Sequence, residues 1–200
     1  MNSKRGAFTQ HLIEEHKIIR SLLDVLGKQE VRELKTLIPI LKFFIEDLHH
    51  KKEEELLFPA LLESAPLQQG GPRCSFFFGL RLEDYGSQKL PQKLPELRPI
   101  TKYILDSKSP LSIPVEEHIA GHLALELLGE LQDDRVLANS ISHYLHLMDL
   151  HIRKEDECLF VLADNYLSPE IQNKLLDRAL EINKVLDVAS YDSIIHSFLK

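Results

Sequence analysis

Ten histidines stand out in a chain of 200 residues that has no tryptophan. Several of them fall in a weak internal repeat, in which ionisable residues recur 102 positions later. Residues 14–16 (Glu-Glu-His) recur as residues 116–118, and residues 49–58 recur as residues 151–160. Chance does not easily place two matches at one offset with the same ionisable residues. We therefore infer that these side chains share a chemical role.

Each copy of the repeat carries a histidine and a glutamate four residues apart, as His49 with Glu53 and as His151 with Glu155. On an α-helix this spacing puts both side chains on one face, about 5–6 Å apart at Cβ. The two side chains can then share one metal ion or bridge two. The spacing therefore indicates metal binding rather than a solvated charged face.

Two further histidines, His118 and His122, have the same four-residue spacing. With His16 they complete a candidate set of metal ligands, five imidazoles and two carboxylates: His16, His49, Glu53, His118, His122, His151 and Glu155. Imidazole and carboxylate without thiolate suit iron, manganese or zinc, and seven ligands are too many for one ion. The set therefore predicts two metal ions bridged by Glu53 and Glu155.

The elements that must carry these side chains are helices, because helical periodicity dominates and strand-like alternation is too isolated to build a sheet. The predicted bundle helices cover about 8–28, 31–62, 115–132 and 135–165, with a C-terminal helix and tail over 168–200. Pro39 either kinks the second helix or marks a later start. Residues 66–114 hold seven of the ten prolines, which predicts a long insertion. We expect a single all-α domain, an antiparallel up-and-down four-helix bundle with that insertion between helices 2 and 3.

Helix lengths place the histidines at one level of the predicted bundle. About ten residues separate His16 from the end of the first helix, and the second helix rises about sixteen residues to His49, at roughly 1.5 Å per residue. The same arithmetic brings His118 level with His151. Four helices would thus present four histidines in one layer.

The ordered pattern resembles the hemerythrin-like (HHE cation-binding) family. The residues that carry the resemblance are His16, His49-xxx-Glu53, His118-xxx-His122 and His151-xxx-Glu155, with Leu57-Phe58-Pro59 and Leu159-Phe160 after the carboxylates. The resemblance covers the four predicted bundle helices. It implies two iron ions in a non-haem di-iron centre, bridged by two carboxylates and an oxo or hydroxo group, with zinc or manganese as substitutes. In oxygen-carrying members one iron keeps an open position for dioxygen, while other relatives sense oxygen or iron or help to repair iron–sulphur clusters.

Two choices of ligand stay open. The oxygen carriers place an aspartate five residues after the last histidine, where this chain has Asp156, so Asp156 competes with Glu155. His50 and Glu54 compete in the same way with His49 and Glu53, since adjacent positions differ by about 100° on a helix. We favour the earlier residue in each case because it preserves the internal repeat.

Charge and hydropathy limit the partners. The net charge of −7 argues against nucleic acid or an anionic membrane surface as a partner. No segment approaches the roughly 20 apolar residues needed to span a bilayer, and residues 1–8 lack the apolar core of a signal peptide. We therefore expect a cytoplasmic protein.

The expected function is metal binding, with the di-iron centre binding or sensing dioxygen, a related molecule such as nitric oxide, or iron itself. The alternative is a redox enzyme that reduces peroxide or nitric oxide, or that donates iron for cluster repair. We favour binding over catalysis, and a mainly structural centre is a third hypothesis. The insertion over 66–114 is longer than the tight turn of the oxygen carriers and is the candidate surface for a protein partner.

Overall fold

The structure is a computed structural model that describes residues 5–28, 31–64, 96–107, 109–131, 134–191 and 195. For residues 31–33, 35 and 134 only the backbone is described. These ranges are almost entirely helical and contain no strand, which confirms the prediction of an all-α protein. The part of the predicted insertion over 66–95 lies outside the described residues.

Two long helices form the first half of the chain. Helix α1 covers Ala7–Leu26, and the second helix consists of α2 (Val31–Lys42), π1 (Phe43–His50), π2 (Glu53–Leu57) and α3 (Phe58–Ser64). Lys51 and Lys52, between π1 and π2, also have right-handed helical backbone angles, so the second helix is continuous. Pro39 lies inside α2, and the alternative of a later helix start is therefore wrong.

The second half follows the same plan after one short helix. Its elements are α4 (Pro99–Ser107), α5 (Ser112–Glu130), α6 (Asp134–Lys154), π3 (Glu155–Leu159), α7 (Phe160–Tyr166) and α8 (Pro169–Val185). The backbone at Lys154 and at Phe160 is helical, so α6, π3 and α7 form one helix. Ser168 begins α8 by accepting a hydrogen bond from the backbone N–H of Ile171, as an N-cap residue does.

The four longest helices contact one another in a ring. Helix α1 packs against α2 and α6, and α5 packs against the same two helices. Helix α8 lies against α1, and α4 lies against α5. Within the described ranges, none of the helices is both long enough and apolar enough to cross a membrane.

Two apolar clusters fill the interior, and the candidate ligands lie between them. One cluster includes Ile19, Leu41 and Leu125, and the other includes Leu12 and Phe160. Along α1, His16 lies between Leu12, which belongs to the second cluster, and Ile19, which belongs to the first. Burial of these apolar faces drives the packing, and it encloses a layer of ionisable side chains from both ends.

Truncation of Leu22 tests this core. Leu22 is fully buried in the first cluster, so Leu22→Ala is expected to lower the free energy of unfolding of the metal-free protein by about 2–5 kcal/mol. Leu180→Ala is the matched control, because Leu180 is 43% exposed on α8, and it is expected to change that free energy by about 0.5 kcal/mol or less. Urea denaturation measures both, and equal effects of the two variants would contradict the packing.

Candidate metal centre

Seven buried side chains meet in the layer between the two apolar clusters. They form two groups of four, and within each group the ligand atoms all lie within 4.8 Å of one another. The first group is His50, Glu53, His118 and His151, and the second is His16, His49, Glu53 and Glu155. The structure thus brings together six of the seven ligands predicted from the sequence, adds His50, and leaves out His122.

The atoms that face one another in this layer have no hydrogen-bond partner. They are the Nε2 atoms of His16, His49, His50, His118 and His151 and both carboxylate oxygens of Glu53 and Glu155. A buried polar atom without a partner costs about 1–3 kcal/mol, so native structures satisfy nearly all of them. Imidazole nitrogen and carboxylate oxygen are good ligands for divalent first-row metals. This donor set therefore fits metal ions.

The two inner carboxylates each face histidines from both copies of the repeat. Glu53 has one oxygen 3.7 Å from Nε2 of His49 and the other 3.3 Å from Nε2 of His118. Glu155 has one oxygen 3.3 Å from Nε2 of His16 and the other 3.7 Å from Nε2 of His118. The Glu155 oxygen that faces His16 is also 3.3 Å from Nε2 of His151. Glu53 belongs to both groups of ligands, and Glu155 lies between histidines of both.

Adjacent histidines reach the layer together because the helix is wider there. His49 and His50 end the π-helical segment π1 and are both buried. In an α-helix successive side chains point about 100° apart, whereas a π-helix has more residues per turn and brings successive side chains closer in direction. The imidazole of His50 stacks on that of His118, with ring centroids 3.7 Å apart. The structure therefore uses both histidines of a pair that the sequence presents as alternatives.

His122 lies outside both groups, contrary to its predicted place among the ligands. Its Nδ1 atom is 2.7 Å from a carboxylate oxygen of Glu46, and its side chain is partly exposed. His118 and His122 share a face of the α-helix α5. Four residues separate them by about 6 Å along the helix axis, so His122 lies one turn away from the layer. The fifth imidazole is instead supplied by His50 in π1.

An outer carboxylate holds His49 from behind. Nδ1 of His49 is 3.0 Å from an oxygen of Glu15, whose other oxygen pairs with the ammonium of the buried Lys52. The same arrangement recurs 102 positions later, where the members are His151, Glu117 and Lys154. An Nδ1–H that donates to a carboxylate leaves the Nε2 lone pair free to bind a metal. Glu15 and Glu117 precede His16 and His118 in the repeat, and this adjacency was the available signal for their role.

Asp156 supports His16 in the same manner. Its two oxygens lie 2.7 Å from Nδ1 of His16 and 2.8 Å from a guanidinium nitrogen of Arg20. Glu155 faces the layer and Asp156 faces outward, so the structure assigns these two neighbours different positions. Asp156 orients a ligand and is not itself in either group.

Glu54 supports His118 and is held from α4. One oxygen of Glu54 lies 2.8 Å from Nδ1 of His118, while the other accepts hydrogen bonds from Arg98 at 2.5 Å and from the Thr101 hydroxyl at 2.9 Å. Burial raises the pKa of Glu54, but the hydrogen bond with His118 and the charges of His118 and Arg98 outweigh burial and lower that pKa to about 2. Glu54 is therefore a charged outer residue, not an alternative to Glu53 in the layer.

Protons and metal ions compete for this centre. Burial alone lowers the pKa of His16, but contacts with Asp156 and Glu155 outweigh burial and raise it to about 9. The pKa of His118 is raised well above its usual range because three glutamates outweigh burial, whereas burial and repulsion by His118 lower the pKa of His50. Metal ligands must be deprotonated, so metal binding would displace protons from the layer.

The contact of His122 with Glu46 is expected to make stability depend on pH. Its hydrogen bond with Glu46 outweighs partial burial and raises the pKa of His122. Stability from a raised pKa is fully present below the unfolded-state pKa and is lost as the pH rises through the folded-state pKa. His122→Ala is therefore expected to lower the free energy of unfolding at about pH 5.5, by less than about 1 kcal/mol after solvent screening, and by less at about pH 9. Urea denaturation measures this difference, and a difference that grows with pH would contradict the expectation.

One comparison with known proteins bears on this centre. Residues 7–73 match the family model described as Hemerythrin HHE cation binding domain. The matched segment contains α1 to α3 and with them His16, His49, His50 and Glu53. No curated protein and no solved structure matches the chain. The resemblance inferred from the histidine pattern is thus confirmed over residues 7–73, the segment that is similar to the hemerythrin HHE cation-binding domain.

Proposed function

We propose that this protein holds two iron ions between its apolar clusters as a non-haem di-iron centre, and that it binds or senses dioxygen or a related small molecule there. The observation that carries the proposal is the set of buried ligand atoms, five imidazole nitrogens and four carboxylate oxygens, that face one another without hydrogen-bond partners. The match to a cation-binding family supports it independently.

The two groups of ligands define two metal positions. We name them the three-histidine position, formed by His50, His118 and His151, and the two-histidine position, formed by His16 and His49. Glu53 and Glu155 would bridge the two positions. Bound iron would supply a redox-active Lewis acid. With both carboxylates bridging, the two-histidine position would have one protein ligand fewer than the three-histidine position, and for this reason we assign the small molecule to it.

The internal repeat supports this assignment. The π-helical segments Glu53–Leu57 and Glu155–Leu159 are related by the 102-residue offset, but residues 145–152 lie in an α-helix where the first copy has π1. The counterpart of His50 is Ile152, which is 1% exposed. The second copy thus has an apolar side chain where the first has a ligand, and this difference leaves the two positions unequal.

Apolar side chains would keep water from the two-histidine position. Phe160 is fully buried, and its ring stacks on that of His16 with centroids 5.2 Å apart. Leu12 lies one turn before His16 on α1 and is fully buried. Exclusion of water limits the loss of a bound molecule by solvent-assisted oxidation, which favours reversible binding over turnover.

The same packing supports an antiparallel up-and-down four-helix bundle as the finer description of the fold. The long helices contact one another in a ring, and each crosses the layer of candidate ligands once between the two apolar clusters. Residues on neighbouring helices of such a bundle reach one internal site. The centre therefore draws ligands from four helices.

Metal counting after anaerobic reconstitution with ferrous iron tests the centre. The wild type is expected to hold about two irons per chain, and Glu53→Ala is expected to lose most of both because Glu53 belongs to both groups. His50→Ala is expected to retain about one, since it alters only the three-histidine position. His122→Ala is the matched control and is expected to retain about two. A wild type with one zinc and no iron would refute the di-iron proposal.

Exposure of the reduced, iron-loaded protein to air tests binding against catalysis. A bound oxygen adduct is expected to produce a lasting near-ultraviolet charge-transfer absorbance that disappears when oxygen is removed. The same preparation should be assayed for consumption of hydrogen peroxide. Rapid peroxide turnover without a stable absorbance would contradict the binding proposal and favour the redox enzyme.

A further inference from the structure

The outer carboxylates of the two metal positions are supported from different parts of the chain. Asp156 behind His16 is held by Arg20, which belongs to α1. Glu54 is the counterpart of Asp156 in the repeat, yet its support comes from the segment between the two copies. There Arg98 precedes α4 and Thr101 lies in its first turn.

A short chain of contacts joins this segment to the candidate ligands. Nδ1 of His118 is 2.8 Å from one oxygen of Glu54, and the other oxygen accepts from Arg98 and Thr101 at 2.5 Å and 2.9 Å. Glu54 and Thr101 are both buried. Arg98 also lies 3.3 Å from Glu55. A buried carboxylate requires such compensation, because an uncompensated one is strongly unfavourable.

Helix α4 is short, and its other contacts are apolar. It is nine residues long, and its buried residues are Thr101 and Ile104. A helix of this length is marginal in water without tertiary contacts. Its placement therefore depends on apolar packing by Ile100, Ile104 and Leu105. The contacts of Arg98 and Thr101 with Glu54 add to that packing.

We propose that Arg98 and Thr101 are positioning residues for the three-histidine position, and that metal binding there stabilises the docking of α4. The inference rests on the proposed di-iron centre. Arg98 and Thr101 fix the Glu54 carboxylate, which fixes the ring of His118 with Nε2 directed into the layer. Coupling of this kind is reciprocal: the factor by which docked α4 strengthens metal binding equals the factor by which the metal strengthens docking.

The proposal assigns a role to the segment that separates the two copies of the repeat. A change in metal occupancy at the three-histidine position would alter how firmly α4 is held. Asp156, behind the two-histidine position, is supported by Arg20 within the long helix α1. Arg5, which precedes α1, donates to the backbone carbonyl of Asp156. Metal occupancy at the three-histidine position would thus be coupled to the docking of a separate short helix.

Iron affinity of an α4 variant tests the positioning role. The double variant Arg98→Ala/Thr101→Val is expected to lose the iron of the three-histidine position to a competing chelator about 10–100-fold more readily than the wild type. Replacement of other outer residues of metal sites has effects of this size. The second iron should be retained. Lys102→Ala is the matched control, because Lys102 is exposed on the same helix, and it should behave like the wild type. Arg98→Lys restores the charge and should recover part of the affinity.

Hydrogen exchange of the wild type tests the coupling without any variant. Amides of residues 100–107 in α4 are expected to exchange at least about tenfold more slowly in the iron-loaded protein than in the metal-free protein. Amides of α8 serve as the internal reference, since Pro169–Val185 contributes no ligand to either group.

The outcomes separate this inference from the proposed function. A wild type that binds two irons, with wild-type affinity in Arg98→Ala/Thr101→Val and unchanged exchange in α4, would overturn the inference and leave the di-iron proposal standing. A wild type that binds no metal would overturn both. Selective loss of one iron together with metal-dependent protection of α4 would support the inference.

Discussion

The burial of ionisable groups between two apolar clusters is the constraint on which the rest of this structure depends. Imidazoles and carboxylates are expensive to bury unless each polar atom has a partner. The ring of long helices and both apolar clusters enclose the layer, so solvent does not supply those partners. The inward atoms lack hydrogen-bond partners altogether. Metal ions of suitable charge would satisfy them. Without metal, the neighbouring carboxylates outweigh burial and raise the pKa values of His16 and His118.

The outward atoms of the layer are satisfied by protein alone. Behind four of the histidines stands a carboxylate, and each carboxylate is paired with a lysine or an arginine. These pairs orient the imidazoles and balance charge in the metal-free protein. Preorganisation of this kind lowers the conformational entropy lost on metal binding. The division between inward and outward groups also gives the neighbours Glu155 and Asp156 different roles. Glu155 faces the layer, and Asp156 orients His16.

The internal repeat makes the two halves of the centre similar, and a few departures from it make them unequal. His50 faces the layer in the first copy, and Ile152 is buried at the equivalent place in the second. Glu54 is supported from α4, whereas Asp156 is supported from α1. Each departure changes one metal position and not the other. The asymmetry is thus the basis for our assignment of small-molecule binding to one position and coupling to α4 to the other.

Much of the centre follows from the sequence, because local spacing and helical periodicity determine which side chains share a face. The repeat by itself identified His16, His49, His118 and His151, and the helical periodicity correctly predicted an all-α protein. Tertiary structure decided the remaining choices. The π-helical turn brings His50 into the layer, which α-helical spacing does not anticipate. His122 lies one turn beyond His118 on α5 and contacts Glu46 instead. The contacts of Glu54 with α4 join residues 44 and 47 positions apart, and only the folded chain brings such distant residues together.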